Sequence, residues 1–183
     1  PTKFSQEKLW DHSLGCAVGA KVIGNFIRHD KIEELFVAGL LHDIGKIVEM
    51  MFLPKDFSKM TAMVRSKNIL LREAEMIVMG YTHAEIGKLL GERWNLPPKL
   101  VGVIGHHHDP EAAGAFTLEA GIIHLADILC RALNIGSGGD DKMPLLDPFA
   151  WETLKIKTHA LEPIMEEIKR EYEDISLFIT YTP

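Results

Sequence analysis

The sequence predicts an all-α protein, a compact bundle of roughly seven to nine helices joined by short links. Two observations carry this. Apolar residues recur at three- and four-residue spacing through most of the chain. Helix-start and helix-stop residues punctuate that pattern, and no stretch alternates in the manner of a strand. The 183 residues suit a single domain spanning 1–183 with a sizeable core.

Each element has its own signal. Ser5 is a good N-cap, and Leu9, Ala17, Val18, Val22 and Ile23 continue at helical spacing across 5–29. Residues 31–52 read as one helix, apolar nearly all round its middle (Leu35, Phe36, Leu40, Leu41), as a central helix would be. Pro54 ends it, and 56–66 and 71–79 read as shorter helices. After a break at Gly80-Tyr81, Thr82 and Glu85 form a capping box, so His83 should open a helix reaching Trp94. Pro98 starts the next, which carries Val101, Val103 and Ile104 into His106-His107-His108 and closes at Asp109-Pro110. Residues 117–133 form another apolar helix, holding His124 and Asp127. Residues 136–141 are a flexible loop by composition. Asp147-Pro148 opens a further helix, and 158–178 is a final amphipathic one.

Composition narrows the function classes. The formal charge is -6, which argues against a nucleic-acid binder. Cys16 and Cys130 lie in apolar helical patterns and read as buried free thiols of a reducing compartment. Neither a signal peptide nor an apolar run long enough to cross a bilayer is evident, so the expectation is a cytoplasmic protein with no membrane partner.

Nine histidines are present, and their placement is unusual. His12, the His42-Asp43 pair, His83, the 106–108 triplet and Asp127 sit within amphipathic helices, where isolated charges are costly. Neutral imidazole together with carboxylate suits first-row transition metals. Other positions have plainer readings. His106 reads as a spectator, His124 as a packing or supporting residue, and His29 and His159 as surface residues. Trp10, Trp94 and Trp151 read as core or groove-lining residues, and Lys88, Arg93 and Arg131 as ordinary helix-surface charges.

LLHDIGK, in order after His12 and before His83, His107-His108 and Asp127, resembles the HD superfamily of metal-dependent phosphohydrolases. GYTHAEIGKLLGERWNLP followed by VIGHHHDP is similar to the HDOD branch, a relative of the HD-GYP signalling domains. The resemblance covers 9–133 and implies an HD-domain helical bundle. It implies two divalent transition-metal ions (Fe, Mn, Zn, Ni or Co). One would be held by His12, His42, Asp43 and Asp127, the other by His83, His107 and His108, with Asp43 bridging. Lys46 would face the substrate phosphate or the metal-bound water, which makes Lys46 and Asp43 the candidate catalytic residues. Lys8 stands where HD-GYP relatives place a carboxylate for a third metal, and DPEAAGAF replaces their GYP element. The family has a further helical portion upstream of the His12 segment, so a fragment of a longer protein is expected.

The implied function is hydrolysis of nucleotide or cyclic-dinucleotide phosphoesters in bacterial signalling. The alternative is a catalytically silent HDOD module whose partner is a signalling protein and whose metal is structural or vestigial. Because metal-binding histidines must be neutral, metal affinity is expected to fall below about pH 6.5.

Overall fold

In the computed structural model, which describes residues 5–181, the helical pattern becomes a bundle with no strand among the described residues. Helix α1 (Gln6–Phe26) starts as expected, the Ser5 side chain accepting the Lys8 N–H. The expected helix over 31–52 is two helices, α2 (Ile32–Leu41) and α3 (Ile44–Phe52). The break falls on His42 and Asp43: Asp43 leaves the helical region at φ -99 and ψ 14 and serves as the N-cap of α3. Neighbouring side chains on a continuous helix diverge by about 100°. The break turns both toward one point instead.

Helix α4 (Pro54–Lys67) begins on its proline and stops at Asn68, which is left-handed. Helix α5 (Leu71–Val78) follows, the Glu73 carboxylate taking the Leu70 N–H. Helix α6 (His83–Arg93) carries the capping box read from Thr82 and Glu85, both halves of which form. Helix α7 (Pro98–His106) runs into the histidine triplet. Asp109-Pro110 ends it but opens a 3₁₀ segment, Pro110–Phe116, kinked at Gly114. Helix α8 (Thr117–Ala132) and α9 (Pro148–Leu154) follow, the latter capped by Asp147. A short 3₁₀ turn, Thr158–Ala160, then leads into α10 (Leu161–Tyr181).

The core lies where α1, α2, α8 and α10 meet. Cys16, Val18, Ile23, Leu35, Ile122, Ile123, Leu125 and Ile168 are buried there. A smaller cluster of Met60, Val64, Leu71 and Ala74 joins α4 to α5. Trp10 and Trp94 correct the reading of them as core or groove residues, since both lie more than half exposed on the outer faces of their helices. Trp151 alone of the three packs on the core. The stretch Pro110–Ala132 passes the length and apolarity tests for a membrane span, contrary to the expectation that no run does. It is kinked at Gly114 and its apolar window is 61% buried in the bundle, as a core helix is.

Candidate metal centre

The histidines and carboxylates scattered through the sequence converge between α1, α3, α6, α7 and α8. His12, His42, Asp43, His83, His107 and Asp127 are all essentially shielded from solvent, and His108 is half-buried. Asp43 is at the centre. Its Oδ1 lies 3.2 Å from His83 Nε2 and 3.8 Å from His107 Nε2. Its Oδ2 lies 3.4 Å from His42 Nε2 and 3.7 Å from His12 Nε2. Asp127 completes the far side, 3.0 Å from His12 Nε2. His108 Nε2 approaches His83 Nε2 at 3.1 Å. Every residue read as a candidate ligand is therefore brought to one place.

Local structure explains the approach. Gly45, in the first turn of α3, lies against the His83 carbonyl so closely that an added Cβ would overlap it. That contact lets the start of α3 and the start of α6 bring Asp43 and His83 together. The His83 side chain is clamped by Glu75 of α5, whose carboxylate takes the His83 N–H at 2.9 Å and bonds Nδ1 at 2.8 Å. The Nδ1–H groups of His42 and His107 are donated to the carbonyls of Gly39 and Ile104, each at 2.7 Å. A carbonyl can only accept, so Nδ1 keeps its proton and Nε2 faces the cluster. His124 supports the centre from behind. Its Nδ1 donates to the His107 carbonyl, and its Nε2 accepts the Asp147 N–H, as a supporting residue should.

The electrostatics are those of crowded, buried groups. Burial works against ionisation of Asp43, but the charges of His42, Lys46 and His83 overcome it and hold the carboxyl well below its usual range. Asp127 is lowered in the same way by Arg131 and His12 against the effect of burial. Burial pulls His12 and His83 down, yet their partners prevail. Cys16 and Asp127 lift His12 to about 10, and Glu75 lifts His83 to about 9. His107 and His108 are pushed well below the ordinary imidazole range by burial and by neighbouring histidines. Lys46 is buried, with Nζ 2.6 Å from Asp43 Oδ2.

Several buried polar atoms have no hydrogen-bond partner: His42 Nε2, His107 Nε2, His12 Nδ1, Asp43 Oδ1 and both oxygens of Glu49. Orphans of this kind are rare in a folded interior. Three overlapping groups have ligand atoms within 4.8 Å of one another: His12, Cys16, His42 and Asp127; His42, Asp43 and His107; and His83, His107 and His108. The cluster is thus capable of holding metal. The unpartnered Nε2 atoms of His42 and His107 and Oδ1 of Asp43 converge within ligand reach of one another, and this imidazole and carboxylate donor set fits the implied metals.

Sequence reading missed some contributors. Arg131 is no ordinary surface charge. Its Nε binds Asp127 at 2.9 Å and its Nη1 binds Asp140 at 3.0 Å. His29, expected at the surface, has a side chain only 7% exposed, with Nε2 3.6 Å from Glu119. Cys16 lies 3.6 Å from His12 Nε2, but burial and then Cys130 push its thiol up, so it stays protonated. Glu75 and Glu49 carried a readable signal. Glu75 shares the apolar stripe of α5 with Leu71 and Ala74, and Glu49 lies on the buried side of α3 with Gly45 and Lys46. A carboxylate on an apolar stripe needs a partner. His106 stays a half-exposed spectator beside Lys88.

An all-α bundle gathering histidines around a buried His-Asp pair has the architecture of an HD-type domain. The chain belongs to the HDOD domain family, whose sequence model matches residues 1–110. That match ends before α8, so Asp127 and Arg131 lie beyond it. A Treponema pallidum protein of uncharacterized function is 31% identical over 138 residues, covering 73% of this chain and 26% of that protein. Ribonuclease Y of Thermus thermophilus is 37% identical over 95 residues, covering 52% of this chain and 12% of the enzyme. The chain therefore matches 26% and 12% of the lengths of these relatives. An HDOD domain protein of unknown function from Geobacter sulfurreducens superposes with a TM-score of 0.73 at 27% identity, over 97% of this chain and 61% of that one. A putative signal transduction protein from Marinobacter aquaeolei superposes with a TM-score of 0.81 at 19% identity, over 97% and 39% of the two chains. At that identity the likeness shows the fold alone.

Proposed function

We propose that this centre binds two divalent transition metals and hydrolyses a small phosphoester, of the nucleotide or cyclic-dinucleotide class. The observation that carries the reading is the pair His42 and His107. Each spends its Nδ1–H on a backbone carbonyl and turns an unpartnered Nε2 toward Asp43. His12, His42, Asp43 and Asp127 would hold one ion and His83, His107 and His108 the other, with Asp43 standing between the two groups.

Bound metals would supply an activated water and neutralise phosphate charge. The chain's own residues do the rest. Glu75 fixes the His83 ring, and Arg131 fixes Asp127. Lys46, already against Asp43, is placed to steady a non-bridging phosphate oxygen. The apolar walls of α2, α7 and α8 keep bulk water out. The likeness to ribonuclease Y supports phosphodiester chemistry, since a ribonuclease cleaves a phosphodiester. The net charge of -6 favours a small substrate over a nucleic acid.

A second reading, a silent module docking signalling proteins, draws on one observation: Lys46 and Arg131 already neutralise Asp43 and Asp127. Elemental analysis of protein purified without chelator, followed by a screen of nucleotides and phosphodiesters with added Mn or Fe, separates the two. Hydrolysis that disappears in folded Asp43→Ala, together with the metal, is the expected result. Metal without turnover on any substrate favours the module, and a mutant that keeps both ions and any activity overturns the metal assignment.

A further inference from the structure

Two openings meet at one carboxylate. A cleft of about 380 Å³ runs beside His12, between the start of α1 and the loop after α8. A crevice of only about 10 Å³, room for no more than one water, leads to Lys46, His83 and His108. Arg131 and Asp140 line both. The Asp140 side chain stands at the junction and is fully engaged. It accepts from Arg131 Nη1 at 3.0 Å, from the Leu71 N–H at 2.9 Å and from the Lys142 N–H at 3.2 Å. The Leu71 amide belongs to the first turn of α5, which favours negative charge.

We propose that Asp140 is a tethered occupant of a phosphate seat formed by Arg131 and the Leu71 amide, and that a phosphoester displaces it to reach the centre. This rests on the hydrolase reading and deepens it by naming where the substrate's phosphate enters. Charge supports the assignment. The crevice is lined by Lys46, Arg72 and Arg131, and Asp140 is its only carboxylate among the described residues. A carboxylate held by a guanidinium and a helix-start amide mimics how a phosphate is held. Arg131 is suited to exchange one anion for another because its other edge stays on Asp127.

The loop is built for that exchange. Ser137 N–H bonds the Lys8 carbonyl at 2.9 Å and ties the loop's first half to α1. Gly136, at φ +62, lies so close to His12 that an added Cβ would overlap it. Beyond this anchor Gly138 and Gly139 precede Asp140, and Gly139 has φ 110. Two glycines let Asp140 swing away without moving the anchor.

The test is phosphate binding by calorimetry on the full chain, first as purified and again after EDTA. Asp140→Ala should bind inorganic phosphate at least tenfold more tightly than the parent in both conditions, and adding Arg131→Gln should abolish the gain. If Asp140→Ala does not fold, Asp140→Asn, which loses the charge and keeps one accepting oxygen, is read in the same assay. No gain in a folded variant, or a gain that survives Arg131→Gln, overturns the proposal. A gain lost with EDTA would place the phosphate on metal and also overturn it. Because the EDTA arm needs no metal and no turnover, a failed hydrolysis screen leaves the result readable.

Discussion

Glu75 and Glu49 are two buried carboxylates with opposite fates. Glu75 is lowered despite its burial because His83 lies against it, and it fixes the ring that faces Asp43. Glu75→Gln should therefore weaken metal binding about 10- to 100-fold while leaving the fold intact, as loss of a ligand's supporting partner does. Competition with a chromophoric chelator reads this directly. Glu49 has no partner, and burial, then the charge of Glu75, lifts it to about 8 from 4.5. The folded chain thus holds a proton there that the unfolded chain releases near pH 4.5. Its contribution to stability is fully present below about 4.5, is lost as pH rises, and is gone above about 8. In EDTA, the parent's melting temperature should fall from pH 5 to pH 8 more steeply than that of Glu49→Gln. Equal slopes would show that Glu49 titrates normally.

Among the elements, the α2–α3 break and the start of α6 do most to build the centre. Both ends of α6's first turn are satisfied by Thr82 and Glu85, which places His83 at a defined height on the helix. Thr82→Ala should cost about 1 kcal/mol, the ordinary value for a lost N-cap. Urea unfolding measures that loss. The same variant should also weaken metal binding, because His83 loses the rigid start that holds it near Asp43. A stability loss with unchanged metal affinity would mean that Glu75 alone positions the ring.

For the whole molecule, the centre joins five helices that share little sequence proximity. His12 and Asp127 are far apart in the chain yet 3.0 Å apart in space. A ligand bound to that junction holds the bundle together, and stability rises with its concentration. At one hundred times Kd a single site adds about 2.7 kcal/mol. Added Mn or Fe should raise the melting temperature, and EDTA should lower it for protein purified with metal. The chelator should leave Asp43→Ala unmoved.

The all-α class and the caps at Ser5, Thr82 and Asp147 are legible in the amino-acid order, because helical period and capping chemistry are local. The LLHDIGK stretch and the histidine order also made the family resemblance legible. The rest arises from packing. Helical spacing ran straight through His42-Asp43, so the break there was invisible until packing against α6 was seen. Arg131 has Asp127 one turn before it and Asp140 nine residues on, but only packing buries these pairs, and the Gly-rich loop read as flexible because its tether to Leu71 comes from a segment remote in the chain. Periodicity reports which face of an element is buried. Which charge meets which across the core depends on contacts between segments remote in the chain, and these exist only once the helices have packed.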